Sequence, residues 1–327
     1  MIKFFRQSYA IQYVVIALLA VALWVPAFLS GNAATGLDSP VTPLFNIVDR
    51  LLSFSPYALC AFAFLLIVFE ALIFNAILIN NQITGKVGTM GAFVFILLMS
   101  FTCTQTQFYP FALATLFIIL MLRSFFEVYL SPNPEISLLN AGLLMALASM
   151  CYFPAIILVL WSIVALIVAK KGTFRMQLIP LLGFFGVYFL YFVGLYLFGD
   201  FRTIGQGYLD FFASFRLSVA GFNYKIIIVL VLLVAAAVVL LLGGNNANLE
   251  KSVAVRTKIS MMVVMLFFAV FLLFVGSNPL MSGLLFLVLS VIFAYAFSYI
   301  GNTGWANLLL ALFLALVLAN HYYFKIM

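Results

Sequence analysis

The chain has 327 residues, 67% hydrophobic and 7% charged, with a formal net charge of +7. Soluble domains carry roughly 25% charged residues, so a water-soluble fold is excluded and lipid must solvate most of the surface. The basic excess does not argue for nucleic acid, because Lys and Arg in membrane proteins gather in cytoplasmic loops and set orientation.

The chain opens with MIKFFRQ and then an apolar run from Ala10 to Leu29. That run is about 20 residues, longer than the 7–15 of a signal-peptide core, and predicts a retained signal-anchor and first span. Further spans are predicted near 57–79, 88–103, 108–125, 138–151, 154–169, 176–198, 225–243, 259–275, 279–299 and 304–320. The expected architecture is therefore an all-α, polytopic transmembrane bundle of about eleven spans. Four segments between 88 and 169 are short and are punctuated by Pro110, Pro132, Pro134 and Pro154. Half-helices or re-entrant turns are expected there. Non-helical backbone survives at membrane depth only where protein or a watery cavity covers it. The whole chain, 1–327, reads as one integral-membrane domain. A polar stretch at 243–257 reads as a solvated linker that would divide 1–243 from a C-terminal part, 258–327. No internal repeat is evident.

The cations predict the orientation. With the N-terminus in the cytoplasm, Lys3, Arg6, Lys86, Arg123, Lys170, Lys171, Arg175, Lys251, Arg256 and Lys258 fall inside. Arg50, Arg202, Arg216, Lys225 and Lys325 fall outside, as does the C-terminus with Tyr322 and Tyr323. Ten against five is a coherent positive-inside pattern. The same topology places Asp38, Asp49, Asp200 and Asp210 outside and Glu127, Glu135 and Glu250 inside, and leaves Glu70 within the second span.

Two outer segments are long. The first, 29–56, carries Asp38 and the pair Asp49-Arg50, and residues 44–54 read as a short amphipathic helix. The second, 199–224, carries Asp200, Arg202, Asp210 and Arg216 among aromatics. In it Leu209, Phe212, Phe215 and Val219 recur at helical spacing, which predicts a surface helix with Asp210 and Arg216 off the apolar stripe.

Each polar group is open to two readings. Asp38 or Asp49 could act as a general base at the membrane boundary, with Arg50 gripping an anion, or could cap a turn and line a wet helix face. Arg202 and Arg216 could hold a phosphate bidentately, or snorkel to headgroups. Gln105 and Gln107, in the run Thr102–Gln107, could line a sugar groove or form a plain turn. Glu70 sits in FLLIVFEALIFNAILINN with Asn75 five residues on. It could couple protons in a transporter, or could join helices as structural glue.

Cys60, Cys103 and Cys151 have no CxxC spacing, and His321 is the one histidine. The expectation is small buried apolar residues and no metal site. All three would lie near the outer side, which leaves a disulfide between two of them open, although their spacing does not support one.

Two resemblances follow from these residues. The stretch Asn140–Pro154, with an apolar span and Lys170-Lys171-Gly172-Thr173-Phe174-Arg175 after it, resembles an uncharacterised family of multi-pass bacterial membrane proteins. The layout as a whole is similar to the C-type (GT-C) glycosyltransferases and to polysaccharide polymerases. In those proteins an acidic first outer loop with a surface helix precedes several short, broken spans. Here Asp38, Asp49 and residues 44–54 take those places, although the acids are single and no soluble C-terminal domain follows. The resemblance implies an enzyme of the bacterial inner membrane acting on a polyprenyl-phosphate-linked sugar at the extracytoplasmic face. Asp38 or Asp49 would then be catalytic, and Arg50, Arg202, Asp210, Arg216, Gln105 and Gln107 would bind substrate. No cofactor is implied, although a divalent cation could bridge Asp38 or Asp49 to phosphate. The alternatives are a transporter or flippase for a lipid or small amphiphile, with Glu70 in its path, and a non-enzymatic subunit of a membrane complex. Membrane lipid is a partner under every reading.

Overall fold

A computed structural model of the protein describes residues 2–7, 9–30, 41–52, 54–84, 88–101, 106, 108–128, 133–199, 201–214, 253–275, 283–300, 303–319 and 322. Among these the regular structure is all helical. The helices are α1 (Ile2–Phe5), α2 (Ala10–Ser30), α3 (Pro43–Leu52), α4 (Pro56–Asn80), α5 (Met90–Met99), α6 (Pro110–Glu127) and α7 (Pro134–Cys151). They continue as α8 (Ile157–Val168), α9 (Phe174–Phe198), α10 (Phe201–Ser214), α11 (Val253–Val275), α12 (Gly283–Tyr299) and α13 (Thr303–Ala319). A 3-10 turn, Phe153–Ile156, joins α7 to α8.

Among the described residues six helices, α2, α4, α6, α7, α9 and α11, are long and apolar enough to cross a membrane. Four more apolar segments are shorter: Met90–Met99, Phe153–Val168, Gly283–Tyr299 and Gly304–Ala319. The chain is thus an all-α, multi-span membrane bundle. The span predicted at 225–243 and most of the 243–257 linker lie outside the described residues. The end of that linker differs from expectation: with no Gly or Pro between Val253 and Ile259, α11 starts six residues early and takes in Arg256 and Lys258.

Polar contacts tie many helix ends together at one end of the bundle. The Ile2 amide donates to Asn307 Oδ1 (2.8 Å), and the Thr89 amide donates to the Phe5 carbonyl (2.9 Å). Arg6 Nη2 donates to the carbonyls of Phe297 (2.8 Å) and Ile300 (2.6 Å), which end α12. A guanidinium there satisfies carbonyls that the helix leaves open and suits the negative end of its dipole. Lys258 Nζ donates to Asn81 Oδ1 (2.8 Å) and lies 5.8 Å from the Phe126 ring centre, so the ends of α4 and α6 are level. Lys171 Nζ caps Val128 (2.7 Å), and Arg175 pairs with Glu135 (2.8 Å). Nearly all the described cations assigned to the cytoplasm therefore share this end, called here the α1 end.

Two short helices form the centre. Every residue of α5 is buried, and α12 is buried from Gly283 to Phe297. A helix apolar on all sides belongs inside its neighbours. α5 also needs its first amides satisfied, and α4 does this: Asn75 Oδ1 accepts from the Ala92 amide (3.3 Å) while its Nδ2 donates to the Gly88 carbonyl (3.0 Å). Asn75 is thereby assigned a capping role across helices, in the manner of an N-cap side chain.

α7 and α9 cross at Gly142 and Gly183. A Cβ on Gly142 would run into the Pro180 carbonyl, and one on Gly183 would come within 2.7 Å of the Leu139 carbonyl. Small residues let membrane helices approach to backbone contact, where packing takes the place of the hydrophobic drive that lipid removes.

Candidate functional site

The helix rise of 1.5 Å per residue sets the depth of each element. Glu70 lies fourteen residues into α4, about 21 Å from its Pro56 end and about 15 Å from its Asn80 end. Its carboxyl meets the backbone amide of Leu116, six residues into α6. With their α1 ends level, α6 starts only about 9 Å beyond Glu70, so its first turn is sunk about 12 Å below the start of α4. Side-chain contacts agree with this depth. Phe108, just before α6, meets Phe62, which is six residues inside α4 (centroids 5.5 Å apart). The described residues of the link between α5 and α6 thus form a floor at membrane depth. Its described residues Ser100, Phe101, Thr106, Phe108 and Tyr109 are all buried, and Trp24 Nε1 donates to Ser100 Oγ (3.2 Å). Protein covers this backbone, which allows it at that depth.

α3 lies over the floor. Phe45 is 1% exposed and stacks on Phe108, with centroids 5.0 Å apart. Leu44, Val48 and Leu52 pack inward, whereas Ile47, Arg50 and Leu51 are exposed and Asp49 is half-buried. α10 covers the neighbouring part. Phe153, in the turn after α7, meets Tyr208 (5.1 Å) and Phe211 (4.8 Å), both edge-on. Between the two, Phe111 meets Tyr109 (6.3 Å) and Tyr152 (5.3 Å). An aromatic seam, Phe45–Phe108–Tyr109–Phe111–Tyr152–Phe153–Tyr208, therefore runs from one surface helix to the other. Beside it the Ser149 and Tyr188 hydroxyls bond (2.9 Å).

The residues singled out from sequence divide as follows. Asp49 and Arg50 lie on α3, and Arg202 and Asp210 lie on α10, at the end away from α1. Asp210 is exposed. Asp38, Gln105, Gln107 and Arg216 lie outside the described residues, as do Asp200, Lys225, Cys103 and His321. The stripe predicted for the second outer helix is corrected: Leu209 is 69% exposed, and Ile204, Tyr208 and Phe211 turn inward. The buried face follows the aromatic partner Phe153, and a stripe read from hydropathy could not include Tyr208. Cys60 and Cys151 are free buried thiols, so no disulfide joins that pair. Among the described residues, no three His, Cys, Asp or Glu side chains come together.

Glu70 is 1% exposed, and its Oε1 has no hydrogen-bond partner among the described residues. The Tyr109 hydroxyl, also buried, has none either, so no hydrogen bond joins Tyr109 to that oxygen. Sequence reasoning found Glu70 but missed Tyr109, whose depth depends on where α6 begins. Pro110 right after Tyr109 was the available signal, since it marks the first turn of a helix.

A separate apolar recess of about 320 Å³ opens between α2, α4 and α5. Tyr13, Ile16, Val68, Leu72 and Ile96 are among its walls. Val14 and Leu72 in its lining are exposed, so the recess lies open at the side of the bundle.

Compared with known proteins, the chain matches no family model, no curated protein and no solved structure.

Proposed function

We propose that this multi-span membrane protein works on a lipid-linked sugar at the end of the bundle covered by α3 and α10. That end would face outward from a bacterial inner membrane. Asp49, together with Asp38, would take a proton from the attacking hydroxyl. Arg50, Arg202 and Arg216 would hold the lipid phosphate, and Asp210, Gln105 and Gln107 would bond the sugar. This is the chemistry implied by the resemblance to GT-C glycosyltransferases and polysaccharide polymerases. The observation that carries the reading is the aromatic seam from Phe45 to Tyr208. It joins the acid-bearing helix to the helix bearing Arg202 over a sunken floor. Aromatic faces suit both a sugar ring and a prenyl chain. The lateral recess between α2 and α4 adds a place for hydrocarbon.

The test is the lipid-linked glycan profile of cells carrying Asp38→Asn, Asp49→Asn or both. Loss of product with accumulation of the lipid-linked precursor, at unchanged protein level, is the expected result. A normal profile in both single variants and in the double variant would contradict the reading.

A second reading, a transporter or flippase, is favoured by Glu70. Ionisable groups near mid-membrane commonly mark transport paths, and broken helices often frame them. In liposomes this reading requires Glu70→Gln to stop movement of the lipid or amphiphile across the bilayer. The enzymatic reading requires only the Asp variants to lose product.

A further inference from the structure

The apolar recess between α2, α4 and α5 has a definite depth in the bundle. Alanines from all three helices, Ala17, Ala71 and Ala92, line it, and larger side chains there would close it. Ile16 and Ile96 in its lining are buried, while Val14 and Leu72 are exposed. Leu72 and Val68 stand eight and twelve residues from the Asn80 end of α4, so the α4 wall lies about 12–18 Å from that end. Asn75 bonds Gly88 and Ala92 around the start of α5, which sets that start about 8 Å in and Ile96 about 9 Å further. α4 is about 38 Å long, so the recess occupies the half of the bundle nearer the α1 end.

α1 lies across the starts of α2 and α5, above this recess. Gln12, next to Tyr13 of the lining, donates through Nε2 to the Phe4 carbonyl. Phe5 stacks on Phe93, next to Ala92, with centroids 4.2 Å apart. Lys3 of α1 is exposed, and the carboxylates described at this end, Glu127 and Glu135, bond Arg123 and Arg175 instead. Water does not suit the recess, because a buried water needs two to four polar partners and the side chains lining it offer only the Tyr13 hydroxyl. Its volume of about 320 Å³ equals about ten water-sized units, and a methylene is of similar size. A short length of hydrocarbon chain therefore fills it, within a leaflet whose apolar half is about 15 Å thick. A chain leaving bulk lipid gains no hydrophobic transfer, so its gain is contact with three helices at once. A cation at the membrane surface adds attraction for an anionic headgroup.

We propose that the recess binds one acyl chain of an anionic phospholipid from the leaflet at the α1 end, with the phosphate held at Lys3. The site lies in the leaflet opposite α3 and α10. It is independent of the sugar chemistry proposed above, and either could fail without the other.

Photolabelling tests the site. The full chain is placed in phosphatidylcholine vesicles with a trace of phosphatidylglycerol that carries a diazirine along its acyl chain, and adducts are located by mass spectrometry after illumination. The expected result is adducts on Tyr13, Val14 and Leu72 that unlabelled phosphatidylglycerol clears. Ala17→Phe, at an exposed position, fills the recess and should remove these adducts. Adducts on the exposed Phe185 and Phe189 of α9 should persist in that variant, which shows that it has folded. Lys3→Gln should raise the phosphatidylglycerol needed for clearance about fivefold. Adducts spread evenly over α2 and α9 that never saturate would make the recess ordinary lipid contact and overturn the proposal. Adducts unmoved by Ala17→Phe, or clearance unmoved by Lys3→Gln, would also overturn it. Clearance by a polyprenyl phosphate at lower concentration than phosphatidylglycerol would give the recess to the chain of a lipid-linked sugar instead. A disulfide between two copies that forms only with Ala17→Cys would give it to a second copy of the chain, and either result overturns the proposal.

Discussion

Phe45 of α3 stacks on Phe108 of the α5–α6 link, with centroids 5.0 Å apart and planes 23° from parallel. A surface helix is thereby held against backbone that lies well inside the membrane. Phe45 is the fully buried side chain of α3, while Ile47 and Leu51 on its other face are exposed. Removing this ring should loosen α3 from the bundle and expose the floor.

Phe45→Ala is expected to cost about 3 kcal/mol, the low end for a buried Phe, because α3 can partly collapse onto the gap. In detergent this appears as a lower Tm. A cysteine placed at Leu51 should also react faster with soluble thiol reagents in the Phe45→Ala background. Phe45→Leu should recover most of the loss.

The α7–α9 crossing gives a contrast within one helix pair. Gly142→Ala places a methyl against the Pro180 carbonyl, a backbone atom that cannot move aside cheaply, and should destabilise by about 1–3 kcal/mol or more. A Cβ on Gly186, one turn past Gly183 in α9, meets nothing within 4 Å. Gly186→Ala should stay within about 0.5 kcal/mol of the parent. Thermal unfolding of the two variants side by side checks both.

Arg6 tests the join between the two ends of the chain. It holds the last carbonyls of α12, and Asn307 of α13 holds the Ile2 amide. Burial lowers the pKa of the Arg6 guanidinium, but an Arg remains charged at neutral pH. Arg6→Ala should therefore cost about 2 kcal/mol, for charge-assisted bonds lost. Arg6→Lys should recover part of this, since one ammonium cannot fork to two carbonyls equally well. Limited proteolysis after residue 300 should be faster in Arg6→Ala and intermediate in Arg6→Lys.

Charge and helix length were the legible parts of this sequence. The basic residues predicted which helix ends would meet, and Arg6, Lys171, Arg175 and Lys258 do meet at one end because each finds a carbonyl, amide or carboxylate there. The amphipathic stretch at 44–54 became α3 nearly residue for residue. The centre of the bundle was illegible. In water a buried helix stands out by its apolar faces, but in lipid α9 is largely exposed and still apolar enough to span, so apolarity alone does not mark α5 as wholly buried. Only the shortness of α5 hinted at its place, since ten residues reach about 15 Å, half a bilayer. Glu70 was legible and the buried Tyr109 was not. An acid in a span is conspicuous, but what lies at its depth depends on the offset between α4 and α6.

The most direct test of the account is sidedness, because acid and cation can act together on an outer substrate only if α3 and α10 share the extracytoplasmic face. Single cysteines at Leu51 and Asp210, and at Arg123 and Glu135, are placed in a chain lacking its native cysteines. Intact cells are then treated with a membrane-impermeant thiol reagent. Labelling at 51 and 210, with 123 and 135 reacting only after permeabilisation, is the predicted result. Labelling at 123 and 135 in intact cells, or at only one of 51 and 210, would contradict it.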